Sequence, residues 1–321
     1  MPTGDRVIRP RPTPFVAVAD ATLPAVVPTP VLRPQRDVRT IALADGRTLG
    51  YEDVGAADGV PVIYFHGFGS SRVIRHPDDS IAERLGVRLI AVDRPGIGAS
   101  SGRPGRQMLD WPADVAALAD ALGIERFDVL GWSGGGPYAL ACAWALPRRV
   151  RTAGVISGPA PLVGVGATGY LIRSHRAAAR AAGMAPWMIR LATWRWARQQ
   201  QRDPERHLDA AVAKMIEADR VVVGDPRVRA MMLANTDEMY RQGNRGVYDE
   251  ALIISRAWGF ALDGIEVPVV IWHGDADPTV PVAMGHFLAE QVQTCRARFY
   301  PDEGHQLFVE RWEEILSDLV S

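Results

Sequence analysis

Short apolar segments that end in glycine-containing loops alternate with helical patterns through most of this chain. The runs over residues 62–65, 87–92 and 127–130 are largely apolar, and helical patterns such as 115–122 lie between them. Apolar strands that alternate with helices are typical of a parallel sheet covered by helices on both faces. Ligands of such sheets bind beyond the carboxyl ends of the strands. The sequence therefore predicts an α/β fold whose site lies among the glycine-rich loops.

Further elements follow from the same patterns. A hairpin is predicted around the Asp45-Gly46 turn, near the start of ordered structure at Thr40. The other predicted strands are 153–156, 267–272 and 297–300, and the other predicted helices are 71–85, 282–292, 306–319 and one that runs through Trp144.

Composition divides the chain into three parts. Residues 1–37 contain eight prolines, which exclude a helix or a central strand because proline fixes φ and lacks an N–H donor. We expect an extended arm there. The alternation stops over residues 160–262, which have the pattern of helices rich in Trp, Met and Arg. We predict that 38–159 and 263–321 form the core and that 160–262 is an inserted helical cap. The alternative is a separate helical domain.

Charge and hydropathy exclude several classes of partner. The formal net charge of the 321 residues is −1, so no overall field attracts nucleic acid or an anionic membrane. No apolar run approaches the roughly 18 residues that span a bilayer, and the apolar stretch 15–19 is too short for a typical secretory signal. We expect a cytoplasmic monomer or homodimer that acts on a small molecule and binds neither nucleic acid nor membrane.

Residues 131–135, Gly-Trp-Ser-Gly-Gly, match the pattern G-x-S-x-G. An apolar strand precedes this motif and a helix follows it, which is the context of a nucleophile elbow. Small flanking residues allow a sharp turn that exposes the hydroxyl of Ser133. We therefore predict that Ser133 is the nucleophile.

A serine hydroxyl needs a base and the base needs an acid. Of the seven histidines, His305 follows the last predicted strand and precedes the last helix, so it lies on the predicted site face. His66 and His273 also follow strands. We interpret His66 as a residue that shapes the loop of the proposed oxyanion donor, and His273 as one that packs against the turn that carries the acid. After the strand 267–272, Asp277 is favoured over Asp275 as the acid.

The tetrahedral intermediate needs N–H donors. We expect one from Gly134 or Trp132, beside the nucleophile, and a second from Phe68 in the loop after the strand 62–65. An apolar pocket is expected under the Trp- and Met-rich cap. The candidate substrate contacts are Gly67, Tyr138, Trp187 and Trp258. Packing of the cap on the core is the alternative explanation of its aromatic residues.

Five motifs in this order resemble the α/β-hydrolase superfamily over residues 40–321. They are residues 66–69 (His-Gly-Phe-Gly), residues 93–100, the elbow, the Gly274, Asp277, Val280 and Pro281 pattern, and Gly304-His305. The resemblance implies the α/β-hydrolase fold, the triad Ser133, Asp277 and His305, a cap after the sixth strand and no cofactor. It also implies that 93–98 is a structural loop rather than a phosphate cradle. Serine at 133 disfavours the members with an aspartate nucleophile. The elbow also departs from the patterns of perhydrolases and proline iminopeptidases.

No motif for a metal site is evident, since the sequence lacks H-E-x-x-H and a close cysteine–histidine cluster. We therefore predict a serine hydrolase without metal or cofactor that acts on small to medium apolar carboxylic esters through an acyl-enzyme. The alternatives are an amidase or carbon–carbon hydrolase with the same triad, or a ligand-binding member of the fold without catalysis.

Overall fold

The computed structural model describes residues 38–164, 169 and 171–321, so the predicted proline-rich arm, 1–37, lies outside the described residues. Within the described part, eight strands form one sheet in the order β1-β2-β4-β3-β5-β6-β7-β8. The strands are β1 (Arg39–Ala42), β2 (Thr48–Gly55), β3 (Val60–Phe65), β4 (Val87–Val92), β5 (Phe127–Trp132), β6 (Val150–Ile156), β7 (Val269–Gly274) and β8 (Cys295–Tyr300).

The sheet is mostly parallel. Strands β3 to β8 run parallel to their neighbours, and only β2 is antiparallel to both β1 and β4. The predicted fold class is confirmed, and the predicted hairpin is the β1–β2 pair. All the predicted strands are present within a few residues of their predicted bounds.

Helices cover both faces of the sheet. Outside the stretch between β6 and β7 they are α1 (Ser80–Arg84), α2 (Trp111–Ala121), α3 (Gly136–Ala145), α10 (Val282–Gln291), α11 (Leu307–Glu310) and α12 (Trp312–Val320). Ile63 and Phe65 of β3 belong to the buried cluster of α2, α3 and α10, whereas Val62 and Tyr64 belong to that of α1 and α12. Successive side chains of a strand point to opposite faces, which explains why β3 is apolar throughout.

Six helices lie between β6 and β7 in the described chain, and we call them the helical insertion. They are α4 (Arg173–Met184), α5 (Pro186–Arg202), α6 (Pro204–Val212), α7 (Glu217–Gly224), α8 (Pro226–Met239) and α9 (Arg245–Ile254). No helix in the described residues has the length and hydropathy needed to cross a membrane.

Buried ion pairs attach the insertion to the core. Glu250 of α9 pairs with Arg94 of the loop after β4, and both side chains are fully buried. Glu238 of α8 pairs with the buried Arg72 at 2.6 Å. A buried charge without its partner costs several kcal/mol, on the order of 3–5, so these pairs constrain where the insertion can dock.

The predicted helix 71–85 is wrong over its first half, because only Ser80–Arg84 is helical. Arg72 and Arg75 are buried and contact Glu52 of β2 at 3.2 and 2.8 Å. Pro77 lacks the N–H donor that a continuous helix requires. Ion pairing with the core therefore determines the path of the chain here, and the helical pattern does not.

Candidate active site

Ser133 lies in the turn between β5 and α3 with φ at +51°. This left-handed conformation is strained for a residue with a side chain. A Cβ at Gly131 would lie 2.3 Å from the carbonyl oxygen of Gly135, and a Cβ at Gly135 would lie 2.2 Å from that of Phe65. Glycine is therefore required on both sides, and the tight turn presents the serine hydroxyl beyond the strand end.

The three residues predicted as the triad lie in hydrogen-bonding order. The Ser133 Oγ is 2.9 Å from His305 Nε2, and His305 Nδ1 is 2.7 Å from Asp277 Oδ2. The other oxygen of Asp277 accepts hydrogen bonds from the backbone N–H groups of Thr279 and Val280, at 2.8 and 2.9 Å. These bonds orient the carboxylate toward the histidine.

The alternative acid and the other strand-end histidines lie elsewhere. Asp275 accepts a hydrogen bond from the backbone N–H of Asp302 at 2.8 Å. His273 is buried, with Nε2 2.8 Å from the carbonyl oxygen of Val280. It packs against the turn of Asp277, where the sequence interpretation placed it.

His305 and Asp277 each stabilise the charged form of the other. Burial opposes the charge on His305, but the charge and hydrogen bond of Asp277 raise its pKa above its ordinary value. Burial likewise opposes the charge on Asp277, yet His305 holds the pKa of this carboxyl below its ordinary value. The arrangement can therefore accept a proton from Ser133 and stabilise the resulting imidazolium.

Phe68 and Gly134 lie next to each other beside the nucleophile. A Cβ at Gly134 would lie only 2.7 Å from the backbone nitrogen of Phe68. Gly134 is at the start of the helical turn 133–135 that leads into α3, where N–H groups have no partner within the helix. Among the described residues, the Phe68 N–H makes no hydrogen bond. Both N–H groups are available to an oxyanion.

The side chain of Trp132 contacts the segment that carries His305. It is the last residue of β5, in register with Ile156 of β6. Its indole N–H donates to the carbonyl oxygen of His305 at 3.2 Å, and its ring packs 4.8 Å from that of Phe308. The Trp132 side chain thus supports the loop of the proposed base.

Hydrogen bonds from Arg94 fix the loop that carries Phe68. The buried Arg94 guanidinium donates to the carbonyl oxygens of His66 and Gly67, and its charge is balanced by Glu250. Burial and the nearby Arg94 charge lower the pKa of His66 well below its ordinary value, so the ring is neutral and structural. The insertion thereby reaches the Phe68 loop through Glu250.

Asp219 of α7 is a site neighbour that the sequence patterns do not indicate. Its carboxylate accepts hydrogen bonds from the backbone N–H groups of His305 and Gln306, at 3.1 and 2.8 Å. Its charge also contributes to raising the pKa of His305. Neither a motif nor a strand end precedes Asp219, so no sequence signal was available to find it.

An apolar cavity of about 510 Å³ opens at Ser133, Gly134 and Phe68. Helices α4, α5 and α9 supply much of its wall, and besides Ser133 the polar side chains on the wall are those of His175, Ser255 and Thr279. The apolar lining includes Leu162, Ala177, Ala178, Ala181, Met188, Ile189, Ala192, Ala251, Ile254 and Val280.

The structure does not place the four predicted substrate contacts on this wall. Tyr138 is fully buried and its hydroxyl contacts Arg106 at 3.2 Å, while Trp258 is buried against Phe260. Trp187 is exposed on the outer side of α5. Gly67 lies against the Trp132 ring, and a Cβ at Gly67 would be 2.8 Å from a carbon of that ring. The residue types alone did not reveal these surroundings, because an aromatic residue type does not show which side of a helix or loop faces the cavity.

A second, more polar cavity of about 610 Å³ lies on the other side of the base. His305 and Gln306 form part of its wall, together with Gln199, His207 and Lys214 of the insertion. Lys214 is the only lysine in the sequence. The serine and the histidine thus face two cavities of different polarity.

Within the part of the chain that the structure describes, no group of three or more His, Cys, Asp or Glu side chains is arranged to hold a metal ion.

Comparison with known proteins places this geometry in a family. A family profile described as alpha/beta hydrolase fold matches residues 60–311. The chain is 25% identical over 268 residues to a pimeloyl-[acyl-carrier protein] methyl ester esterase of Chromobacterium violaceum. This match covers 81% of this chain and 93% of that protein. It is 26% identical over 280 residues to the dihydrolipoyllysine-residue acetyltransferase component of an acetoin cleaving system of Pseudomonas putida. That match covers 86% of this chain but only 66% of the relative.

Among solved structures, a hydrolase from Pseudomonas aeruginosa PA01 superposes with a TM-score of 0.65 at 20% identity. The superposition covers 90% of this chain and all of that one, and at this identity it shows a shared fold. The family profile covers more than three quarters of the chain and includes the elbow, the acid and the histidine. The chain belongs to the α/β-hydrolase family.

Proposed function

We propose that this α/β hydrolase cleaves carboxylic esters with small to medium apolar acyl groups, with Ser133 as nucleophile, His305 as base and Asp277 as acid. The observation that carries the proposal is the Ser133 Oγ to His305 Nε2 distance of 2.9 Å at the mouth of an apolar cavity of about 510 Å³. The relative from Chromobacterium violaceum, a methyl ester esterase by name, supports an ester substrate.

The reaction runs in two halves. The Ser133 hydroxyl attacks the ester carbonyl while His305 takes its proton, and the oxyanion accepts hydrogen bonds from the N–H groups of Phe68 and Gly134. His305 then returns the proton to the departing alkoxide, and an acyl-enzyme remains. Water, deprotonated by His305, attacks the acyl carbonyl and releases the carboxylic acid and Ser133. The protons balance among serine, histidine and water, so the proposal requires no cofactor.

We propose that the two cavities receive different parts of the ester. The acyl part fits the apolar cavity because that cavity opens at Ser133 and the proposed N–H donors. The leaving group must approach His305 to receive a proton, and His305 faces the polar cavity. We propose that the helical insertion acts as the cap that forms both, as a small-molecule site in this fold requires a wall over the strand ends.

The test is hydrolysis of p-nitrophenyl esters of increasing acyl length by the wild type and by Ser133→Ala. We expect turnover by the wild type with an optimum at a short or medium acyl chain, and its loss in Ser133→Ala. Ser157→Ala is a matched control, because Ser157 is a buried serine at the end of the neighbouring strand. Equal rates for wild type and Ser133→Ala would reject the esterase. The same variant pair would then be assayed on amides and carbon–carbon substrates.

A further inference from the structure

The outer side of the insertion carries exposed apolar side chains. Trp187, Leu191 and Trp194 of α5 are 66%, 49% and 45% exposed. Their spacing of four and three residues places them on one face of the helix. Met184, at the end of α4, is 86% exposed beside them.

The opposite side of the same helix already faces the protein. Ile189, Thr193 and Ala197 of α5 are buried, and Ile189 also lines the apolar cavity that opens at Ser133. Helix α5 is therefore apolar on two sides, although a helix at the surface of a water-soluble domain needs only one apolar side. Its second apolar side indicates contact with something other than water.

Positive charge is concentrated around this apolar face. Residues 173–202 contain seven arginines, all exposed, and no Asp or Glu, although the whole chain has a net charge of −1. The rest of the chain is therefore net acidic. Arg190, Arg195 and Arg198 lie on α5 itself, and the Arg198 guanidinium lies 5.0 Å over the Trp194 ring. Long arginine side chains can follow an apolar surface while their charged ends reach outward.

A groove of about 370 Å³ opens on this face between α5 and α9. Its wall contains Trp187, Leu191 and Trp194, together with Arg190 and with Arg245, which is paired with Asp249 at 2.9 Å. Arginine binds phosphate oxygens through paired N–H groups, and Trp side chains favour the region between lipid headgroups and acyl chains.

We propose that the outer face of α4 and α5 docks on the surface of an anionic phospholipid bilayer. Tryptophan, leucine and methionine enter the boundary between headgroups and acyl chains, and the arginines bind the phosphates. This is the composition of helices that lie in the plane of a membrane surface. It departs from the expectation of no membrane partner, which rested on the net charge of the whole chain and not on its distribution.

Two other occupants fit this face less well. A second copy docked through the same face would place two sets of seven arginines against each other, without acidic residues in residues 173–202 to neutralise them. Single-stranded nucleic acid would satisfy the arginines and stack on the tryptophans, but Met184 and Leu191 offer it no stacking surface.

The experiment is co-sedimentation of the full chain with sucrose-loaded vesicles, one set of phosphatidylcholine and one with about one third phosphatidylglycerol. We expect binding to the anionic vesicles, at least ten-fold weaker binding to phosphatidylcholine, and a further loss as salt rises from about 0.05 to 0.5 M. The fluorescence maximum of tryptophan should shift to the blue on binding.

Two double variants should each weaken binding to anionic vesicles at least ten-fold. They are Trp187→Ala with Trp194→Ala, and Arg195→Gln with Arg198→Gln. The matched controls, Trp144→Ala and Arg126→Gln with Arg148→Gln, remove exposed residues of the core and should bind as the wild type. Unchanged circular dichroism melting would show that the α5 variants fold. Ser133→Ala should bind normally, which separates this proposal from the esterase.

Equal binding by the α5 variants and the wild type would reject the proposal, as would the absence of vesicle binding. Sedimentation equilibrium would reject it if it showed a dimer that Trp187→Ala with Trp194→Ala dissociates. Binding to a single-stranded oligonucleotide as tight as to the anionic vesicles would assign the face to nucleic acid instead.

Discussion

The carboxylate of Asp219, on helix α7 of the insertion, accepts a hydrogen bond from the backbone N–H of His305 at 3.1 Å. The proposed base is thus held from three directions. Asp277 binds its ring, Trp132 donates to its carbonyl oxygen, and Asp219 binds its backbone nitrogen. The first two contacts come from the core and the third comes from the insertion.

Asp219→Asn should lower kcat roughly ten-fold with little change in KM, because hydrogen bonds to charged groups contribute about 1.5–3 kcal/mol and the base would lose part of its orientation. The pKa of His305 should also fall, since the Asp219 charge helps to raise it. His305 must be neutral to accept a proton, so activity is lost as the pH falls through its pKa. The acid limb of the pH–rate profile should therefore move to lower pH in the variant.

The control for this variant is Asp237→Asn, which removes an exposed carboxylate from neighbouring helix α8. Its pH–rate profile should overlay that of the wild type. A profile of Asp219→Asn that is reduced in height but not displaced along the pH axis would mean that Asp219 acts through structure alone.

Gly134→Ala should reduce kcat by about 10²–10³, the usual effect of losing one oxyanion donor. The added Cβ would lie 2.7 Å from the Phe68 nitrogen, so the loop of the second proposed donor must move away. Gly102→Ala is the control, because a Cβ there meets nothing within 4 Å. Steady-state kinetics with a short p-nitrophenyl ester measures both, and wild-type kcat in Gly134→Ala would contradict the proposed pair of donors.

Glu250→Gln should lower the free energy of unfolding by about 3–5 kcal/mol, because it leaves the buried Arg94 charge without its partner. Urea denaturation followed by tryptophan fluorescence measures the change. Glu313→Gln, which removes an exposed partner 3.7 Å from Arg84, should cost no more than about 1 kcal/mol. Similar midpoints for the two variants would show that the buried pair contributes little.

Ala251→Leu should narrow the apolar cavity, since Ala251 lies in its wall. We expect kcat/KM for the longest accepted acyl chain to fall roughly ten-fold or more, because each misfit methylene costs about 1–3 kcal/mol. Acetate esters should be cleaved as before. Ala234→Leu, at an exposed position on α8, should leave the chain-length series unchanged. A uniform loss for all esters in Ala251→Leu would point to a folding defect.

The sequence predicted the sheet well because its central strands, such as β3, β4, β5 and β7, are buried on both faces and are thus largely apolar. The three side chains predicted as the triad lie close together for a related reason, since Ser133, Asp277 and His305 each follow a strand whose end the hydropathy pattern marks. The tight turn at Ser133 is also visible in the sequence, because close backbone contacts require glycine at 131 and 135.

Other parts of the structure depend on contacts between distant residues. Asp219 is 86 residues from His305 in sequence, and an aspartate on an amphipathic helix is usually an ordinary surface residue. Residues 71–79 have a helical pattern but follow buried ion pairs instead. Tyr138 and Trp258 were expected in the pocket, but side-chain type carries no information on which cavity a residue faces.

The buried pair of Arg94 and Glu250 limits how relatives of this enzyme can be recombined. A chimera that exchanges the whole insertion would place an unmatched helix above Arg94, and the buried guanidinium of Arg94 would lose the counter-charge that Glu250 supplies. Arg72 would lose Glu238 but keep Glu52 and Asp93 of the core. Such an exchange has to transfer Glu250, Glu238 and Asp219 together with the helices that carry them. Helices α4 and α5 are less constrained. Substitutions at Ala181, Met188 and Ala192 would alter the wall of the apolar cavity while the three acidic residues stay in place. Directed evolution of substrate range should therefore accumulate its tolerated substitutions in that helical pair first.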